Sequence, residues 1–256
     1  FFLFLILLSG DFMKQNLLLD AGVSLEKEHL IAKKKERNVE IKHYLLKESD
    51  EKIYRNRKGD YFTLTFDDQV LYENSKTLEK VFQKTFKTFL AKYHKGNTIL
   101  FIGLGNSSIL GDSFGTQVLN KLIATNQYND FLTIPKVALF APETTNKTGI
   151  SSFRLIEMVV KDLQPDVIIL LDSFVTNQSK YLNRTLEIND CGMIFADQLR
   201  SNKTISFKTF HIPVLSIGFP TLLKLHKTYL SKYTLEEDLE IISSLVARSI
   251  NHILMS

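Results

Sequence analysis

The chain has one cysteine, no tryptophan and only five prolines among 256 residues. A single cysteine, Cys191, excludes an internal disulfide framework and any metal centre built on several thiolates, and it fits a reducing compartment. The missing tryptophan, beside abundant Lys, Asn, Ile and Phe, fits an AT-rich gene and carries no functional information. Prolines and the 11 glycines are scattered. No repeat, low-complexity tract or Pro/Gly-rich linker interrupts the chain, so no domain boundary is legible. Excess charge is also lacking. With 32 basic and 28 acidic residues the net charge is +4, too slight to mark a nucleic-acid surface, and no direct nucleic-acid partner is expected. Long apolar runs are absent as well. Phe1–Leu8 is uniformly apolar, but a membrane helix needs about 20 such residues, so no membrane partner is expected. That run has no basic flank or initiating Met of a secretory signal, and Met13 is the first methionine. Residues 1–13 are read as a leader-like or non-native segment, dispensable for folding. Residues 14–256 are read as a single domain with its core at about 97–256.

What is present is ordinary globular material, 44% hydrophobic and 23% charged. Residues 14–37 read as one or two helices ending in the basic run Lys33-Lys34-Lys35. Segments 39–46 and 61–66 alternate apolar and polar residues around a charged turn, the pattern of a hairpin-like pair. Residues 75–93 place Leu78, Val81, Phe82, Phe86, Phe89, Leu90 and Tyr93 on one helical stripe. From there apolar runs at 98–102, 136–140, 167–171 and 213–217 alternate with helical patterns near 113–125 and 152–163. The last helix opens on Thr234-Leu-Glu-Glu237, a capping-box pattern. This alternation implies an α/β fold, a mainly parallel sheet with helices on both faces, carrying an N-terminal β-containing extension.

Two carboxylates stand just past strand ends. Thr98-Ile-Leu-Phe-Ile-Gly103-Leu-Gly105-Asn106 leads to Asp112, and Val167-Ile-Ile-Leu-Leu171 leads to Asp172. In open α/β sheets, ligands and chemistry gather at the carboxyl ends of strands. Two close carboxylates cannot both ionise cheaply, so they share a proton and furnish one acid and one base, an arrangement that activates water for peptide hydrolysis. The same pair could hold a divalent ion, and each Asp taken alone could be a helix cap or turn former. A dinucleotide fingerprint is not completed, because position 108 is Ser and the acid at the required distance, Asp130, does not end a strand. No Gly-x-Ser-x-Gly elbow and no His-Glu-x-x-His occurs. Ser24-x-x-Lys27 on a polar helix is read as chance. Six histidines are scattered without metal spacing, so neither a metal nor a cofactor is expected.

Several ordered segments resemble the germination protease family of endospore-forming bacteria. They are Ile99–Asn106 with Asp112-x-x-Gly115, Ala141-Pro142 with Thr148-Gly149-Ile150, and Gln164-Pro-Asp-Val-Ile-Ile-Leu-Leu-Asp172. Two more are Asn183-Arg-Thr-Leu-Glu-Ile-Asn-Asp190-x-Gly192 and Ile212-Pro-Val-Leu-Ser-Ile-Gly-Phe-Pro-Thr221. The resemblance implies an endopeptidase that degrades small acid-soluble spore proteins during germination. It implies an aspartic peptidase of non-pepsin fold, with a core like that of hydrogenase-maturation peptidases. The family's catalytic pair falls on Asp112 and Asp172. Gly103, Gly105, Asn106, Gly115, Thr148 and Gly149 become turn and substrate-binding positions. The resemblance further implies a zymogen with residues 1 to about 14 in the propeptide position, a homotetramer, and a cytoplasmic location in the forespore or spore core.

The chain departs from the family at three places. Gly192–Lys203 lacks the family's His-Pro and its glycines, Ser107 stands where an aromatic residue is usual, and the stretch from Thr221 to Tyr229 is short. Three expectations therefore stand together: an active peptidase with altered loops, a catalytically silent member that binds spore proteins, and a metal-dependent peptidase of maturation type.

Overall fold

Val167-Ile-Ile-Leu-Leu171 is apolar at every position because both faces of its strand are covered. Val167, Ile169 and Leu171 enter one core, while Ile168 and Leu170 enter a second on the opposite side of the sheet. The computed structural model describes residues 3–6, 17–50, 58–93, 96–128, 134–194, 204–225 and 228–256. The leader-like segment thus enters through residues 3–6 alone, and most of the divergent 193–204 loop lies outside the described residues.

The strands are β1 (Leu3–Ile6), β2 (Leu30–Glu36), β3 (Val39–Leu46), β4 (Gly59–Thr65), β5 (Thr98–Gly103), β6 (Lys136–Phe140), β7 (Val167–Thr176), β8 (Thr185–Asn189), β9 (Met193–Ile194), β10 (Thr204–Ile205), β11 (Val214–Leu225) and β12 (Thr228–Lys232). Ten of them form one sheet in the order β2-β3-β4-β8-β11-β7-β5-β6, with β12 on β11 and β1 on β12. Neighbours β11, β7, β5 and β6 run parallel. From β11 through β8, β4 and β3 to β2 every pairing is antiparallel. The expected α/β class is therefore realised as a parallel half, with the N-terminal β extension hydrogen-bonded into the same sheet.

Helices α1 (Gly22–His29), α2 (Asp68–Tyr72), α3 (Ser75–Leu90), α4 (Phe114–Leu119), α5 (Thr145–Thr148), α6 (Ser152–Leu163), α7 (Phe207–Phe210) and α8 (Leu235–Met255) complete the fold. The Phe-rich stripe of α3 and the inward residues Leu239, Ile242, Leu245, Val246 and Ile250 of α8 share the first core, with Phe114 and Val118 of α4. Leu17–Leu19, Leu25 and the α6 residues Phe153, Ile156 and Val160 cover the other face. At about 1.5–3 kcal/mol for each fully buried large apolar side chain, these two layers supply the main driving force for folding.

Three local readings change. Lys33, Lys34 and Lys35 belong to β2, not to a helix end. As an edge strand β2 would expose an unpaired row of backbone groups, and an exposed lysine run is how edges are kept from pairing with another chain. The helix expected over 113–125 stops at Leu119. Thr234 caps no helix N–H; its hydroxyl donates to Asp238 Oδ2 at 3.0 Å. No helix among the described residues is long and apolar enough to cross a membrane.

Candidate active site

β5 and β7 are adjacent and parallel, with Gly103 opposite Leu171. The chain leaving β5 and the continuation of β7 therefore emerge side by side at the carboxyl edge. Leu104 N–H donates to Leu171 O at 2.8 Å, closing the exit of β5 onto β7. Residues 105–112 then fold back on themselves. Gly105 takes φ +104°, and a Cβ there would lie 2.0 Å from the Asp112 carbonyl oxygen, so only glycine fits. Asn106 N–H donates to Asp112 Oδ2 at 2.9 Å, while Asn106 Oδ1 accepts from Ser108 N–H at 2.9 Å. Asp112 N–H donates to Ile109 O at 2.8 Å. The Asn106 side chain is thus engaged in an Asx turn, shaping the loop.

Asp112 is buried, held in a 3₁₀ turn over Leu110–Asp112. It does not act as an N-cap: α4 begins after Ser113, and no side chain caps it. Asp172 is half-buried on β7, beside Gly218 of β11, and its Oδ1 accepts from Ser173 N–H at 2.8 Å. Two contacts bind the strand carrying Asp172 to the segment following Asp112. Phe114 N–H donates to the buried Ser173 Oγ at 3.2 Å. Gly115 packs so closely on β7 that a Cβ would sit 2.1 Å from Leu171 O and 2.7 Å from Leu104 O. Gly103, Gly105, Asn106, Asp112, Gly115 and Asp172 are thus gathered at one edge of the sheet.

Thr148 and Gly149 lie in an exposed turn after β6. Thr148 Oγ1 donates to Ile150 O at 3.0 Å, and Gly149 closes α5 in the left-handed conformation. This turn meets the site through a polar link. Ser107 Oγ donates to Glu143 Oε1 at 2.6 Å, and Lys147 Nζ lies 3.1 Å from that oxygen and 2.8 Å from Ser107 Oγ. Burial works to raise the Glu143 carboxyl, but the Ser107 hydroxyl and amide and the Lys147 ammonium outweigh it and hold it below the usual glutamate range.

Sequence reasoning missed the groups behind this edge. Thr221 Oγ1 donates to Gly111 O at 2.7 Å inside the protein. Behind Thr221, Asn183 N–H donates to Pro220 O at 2.8 Å, and Asn183 Nδ2 to Asp238 Oδ2 at 2.8 Å. Arg184 pairs with Asp238 at 3.1 Å and with Asp68, and Tyr72 Oη donates to Asp238 Oδ1 at 2.6 Å. Asp238 is fully buried. A readable signal existed for Thr221 alone, since Pro220 inside a central apolar run points to a bulge. Among the described residues, no group of three or more His, Cys, Asp or Glu side chains is placed to hold a metal ion.

Comparison with known proteins gives one consistent family. A germination protease profile matches residues 15–231. The germination protease of Clostridium acetobutylicum is 28% identical over 190 residues, covering 70% of this chain and 58% of its own length. That of Priestia megaterium is 28% identical over 206 residues, covering 76% of this chain and 55% of its own length. The chain spans little more than half the length of these relatives. Among solved structures, the [NiFe] hydrogenase maturation protease HycI from Thermococcus kodakarensis KOD1 aligns with a TM-score of 0.38 at 15% identity, covering 68% of this chain and 97% of its own. A likeness at that score carries no weight for fold or function.

Proposed function

The chain belongs to the germination protease family, and from that premise we propose that it is an aspartic-type endopeptidase acting on small acid-soluble spore proteins, with Asp112 and Asp172 as its proton-sharing pair. One observation carries the reading. Asp172 lies within β7 beside the exit of β5, the loop that follows β5 carries Asp112, and the two segments are tied together through Leu104–Leu171 and Phe114–Ser173. In this scheme the ionised carboxylate takes a proton from water as the water oxygen attacks the scissile carbonyl carbon. The protonated carboxyl gives its proton to the carbonyl oxygen. On collapse of the tetrahedral intermediate the C–N bond breaks and the leaving nitrogen takes a proton from the acid that gained one. The Asn106 N–H fixes one Asp112 oxygen.

The same reading takes the active form to be a homo-oligomer matured from a zymogen and working in the spore interior. The test is digestion of a purified small acid-soluble spore protein, followed by mass spectrometry, with wild type, Asp112→Asn and Asp172→Asn. Cleavage by the wild type that either substitution lowers by several orders of magnitude is expected. Binding without cleavage at any pH decides for a silent member. Wild-type turnover in either variant removes that residue from the mechanism.

A further inference from the structure

The segment Gly218-Phe-Pro220-Thr221 lies in the middle of the sheet, where proline is out of place. Pro220 has no N–H to give the ladder, and in a central strand it is tolerated only at a bulge. A bulge is what the pairing shows. β11 runs in register with β7 from Val214 opposite Ile168 to Pro220 opposite Phe174, and then Leu222 faces Val175. Thr221 is the extra residue, with no partner position on β7. Bulges re-aim a side chain, and they recur beside active sites. Here the re-aimed group is a fully buried hydroxyl whose donor reaches across 110 residues of chain to Gly111 O at 2.7 Å. Gly111 is the residue before Asp112, inside the same 3₁₀ turn.

We propose that Thr221 is a positioning residue for Asp112. Its hydroxyl, aimed by the Pro220 bulge, holds the Gly111 carbonyl and so sets how Asp112 stands relative to Asp172 on the neighbouring strand. The inference rests on the carboxylate-pair reading above. The physical logic is that Asp112 sits on a short turn after a strand, and a turn alone leaves it free to rock. β7 fixes the far side of that turn through Ser173 and Leu171. β11 fixes the near side through Thr221. Threonine suits the task because its β-branched side chain is stiff about χ1.

The experiment compares Thr221→Val, which keeps the shape and loses the donor, with Thr221→Ser, which keeps the donor. Asp112→Asn and Asp172→Asn are run alongside, all in the full 256-residue chain. A small acid-soluble spore protein is the substrate, and rates are expressed per folded molecule from circular dichroism. Thr221→Val should lower kcat by about 10- to 100-fold, the scale of a misplaced reacting group, with KM changed less than about twofold. Thr221→Ser should recover most of that loss. The bell of kcat/KM against pH should narrow in Thr221→Val, because a looser pair interacts less and its apparent pKa values draw together. Independent of turnover, amide exchange at Asn106 and Asp112 should quicken in Thr221→Val.

Unchanged kcat in Thr221→Val overturns the proposal. So does an equal loss in the serine variant, or a rate lowered at every pH with both limbs unmoved, which marks a merely structural role. If Thr221→Val fails to fold, slowed turnover in Thr221→Ser without narrowing of its pH profile overturns it as well. Wild-type turnover in the Asp→Asn variants sinks the parent reading instead, and this inference with it. Loss of turnover in those variants together with normal kcat in Thr221→Val refutes the positioning role alone.

Discussion

Glu187 is a carboxylic acid in the wrong solvent. It is fully buried on β8, with Leu18 N–H donating to Oε2 at 2.9 Å and the Asn189 amide donating to Oε1 at 3.2 Å. Burial pushes its carboxyl up to about 8, against those two bonds, which favour the charged form. In the unfolded chain the same group titrates near the ordinary glutamate value of 4.5. Between those two values the folded protein keeps a proton that the unfolded chain has released. The contribution to stability is therefore full below the unfolded value and is lost as pH rises toward the folded one. The loss runs at about 1.4 kcal/mol per pH unit. From pH 5.5 to 7.5 it amounts to about 3 kcal/mol, on the order of 6–10 °C in Tm for a chain of this size. Glu187→Gln keeps the volume and removes the titration. Urea unfolding at pH 5.5, 6.5 and 7.5 should show the wild type weakening relative to the variant by that amount. Asp190, whose carboxyl burial also raises, titrates in both proteins and drops out of the difference, whereas the Asp20 charge helps to raise Glu187 and is part of what the difference reads. Parallel stability lines for wild type and Glu187→Gln would refute the reasoning.

Arg184→Ala strips the buried Asp238 of its ion-pair partner, and it should cost about 3–5 kcal/mol in urea unfolding; a loss under about 1 kcal/mol contradicts the buried network. Gly115→Ala places a methyl 2.1 Å from Leu171 O, with backbone on its other sides too. It should destabilise by about 1–3 kcal/mol or more and depress cleavage beyond what the folded fraction accounts for, and wild-type turnover per folded molecule counts against the close helix–strand contact. Cleavage by the wild type should survive exhaustive dialysis against EDTA; loss that one divalent ion restores decides for the metal-dependent reading.

The parallel half was legible because its physics is local. Strands buried on both faces read as unbroken apolar runs, and the acids that follow those runs stand out against them, although β7 does not end before Asp172 as expected but runs on to Thr176, paired with β11. Asp112 and Asp172 came from that contrast. The antiparallel half was harder to see. Thr185-Leu-Glu-Ile-Asn189 alternates like a strand with one wet face, yet every residue of β8 is buried. Its polar face lies under Leu17 and Leu18, which share a core with Tyr44 and Tyr61 and are more than 160 residues away in sequence. No local pattern announces a cover so distant. The lysine run of β2 misled for a related reason, since edge strands are marked by charge rather than by apolar alternation. Thr148 and Gly149, carried by resemblance, occupy the turn beside the Ser107–Glu143–Lys147 link. That link could not be read from spacing, because Ser107 and Glu143 are 36 residues apart.

The two halves of the sheet are not independent, and the candidate site shows why. The parallel strands bring both acids to one edge, Asp172 within β7 and Asp112 on the loop that follows β5. What stiffens that edge comes largely from elsewhere. Asp238 of α8 and Arg184, the residue before β8, pair with each other in the interior. Asn183, bound to Asp238, takes a left-handed backbone (φ 57°) and gives its N–H to Pro220. Pro220 produces the bulge, and the bulge turns Thr221 toward the carbonyl preceding Asp112. A buried ion pair of this kind is weak evidence for stability, because desolvation offsets most of its attraction. What it does supply is geometry: through Asn183 it holds one backbone turn against Pro220. The acids were visible at the ends of apolar runs, while the residues that orient them are joined through the folded interior, and that asymmetry follows from what each does. A reacting group must reach the surface at a predictable point of the topology. A group that fixes its angle can approach from any element the fold brings near.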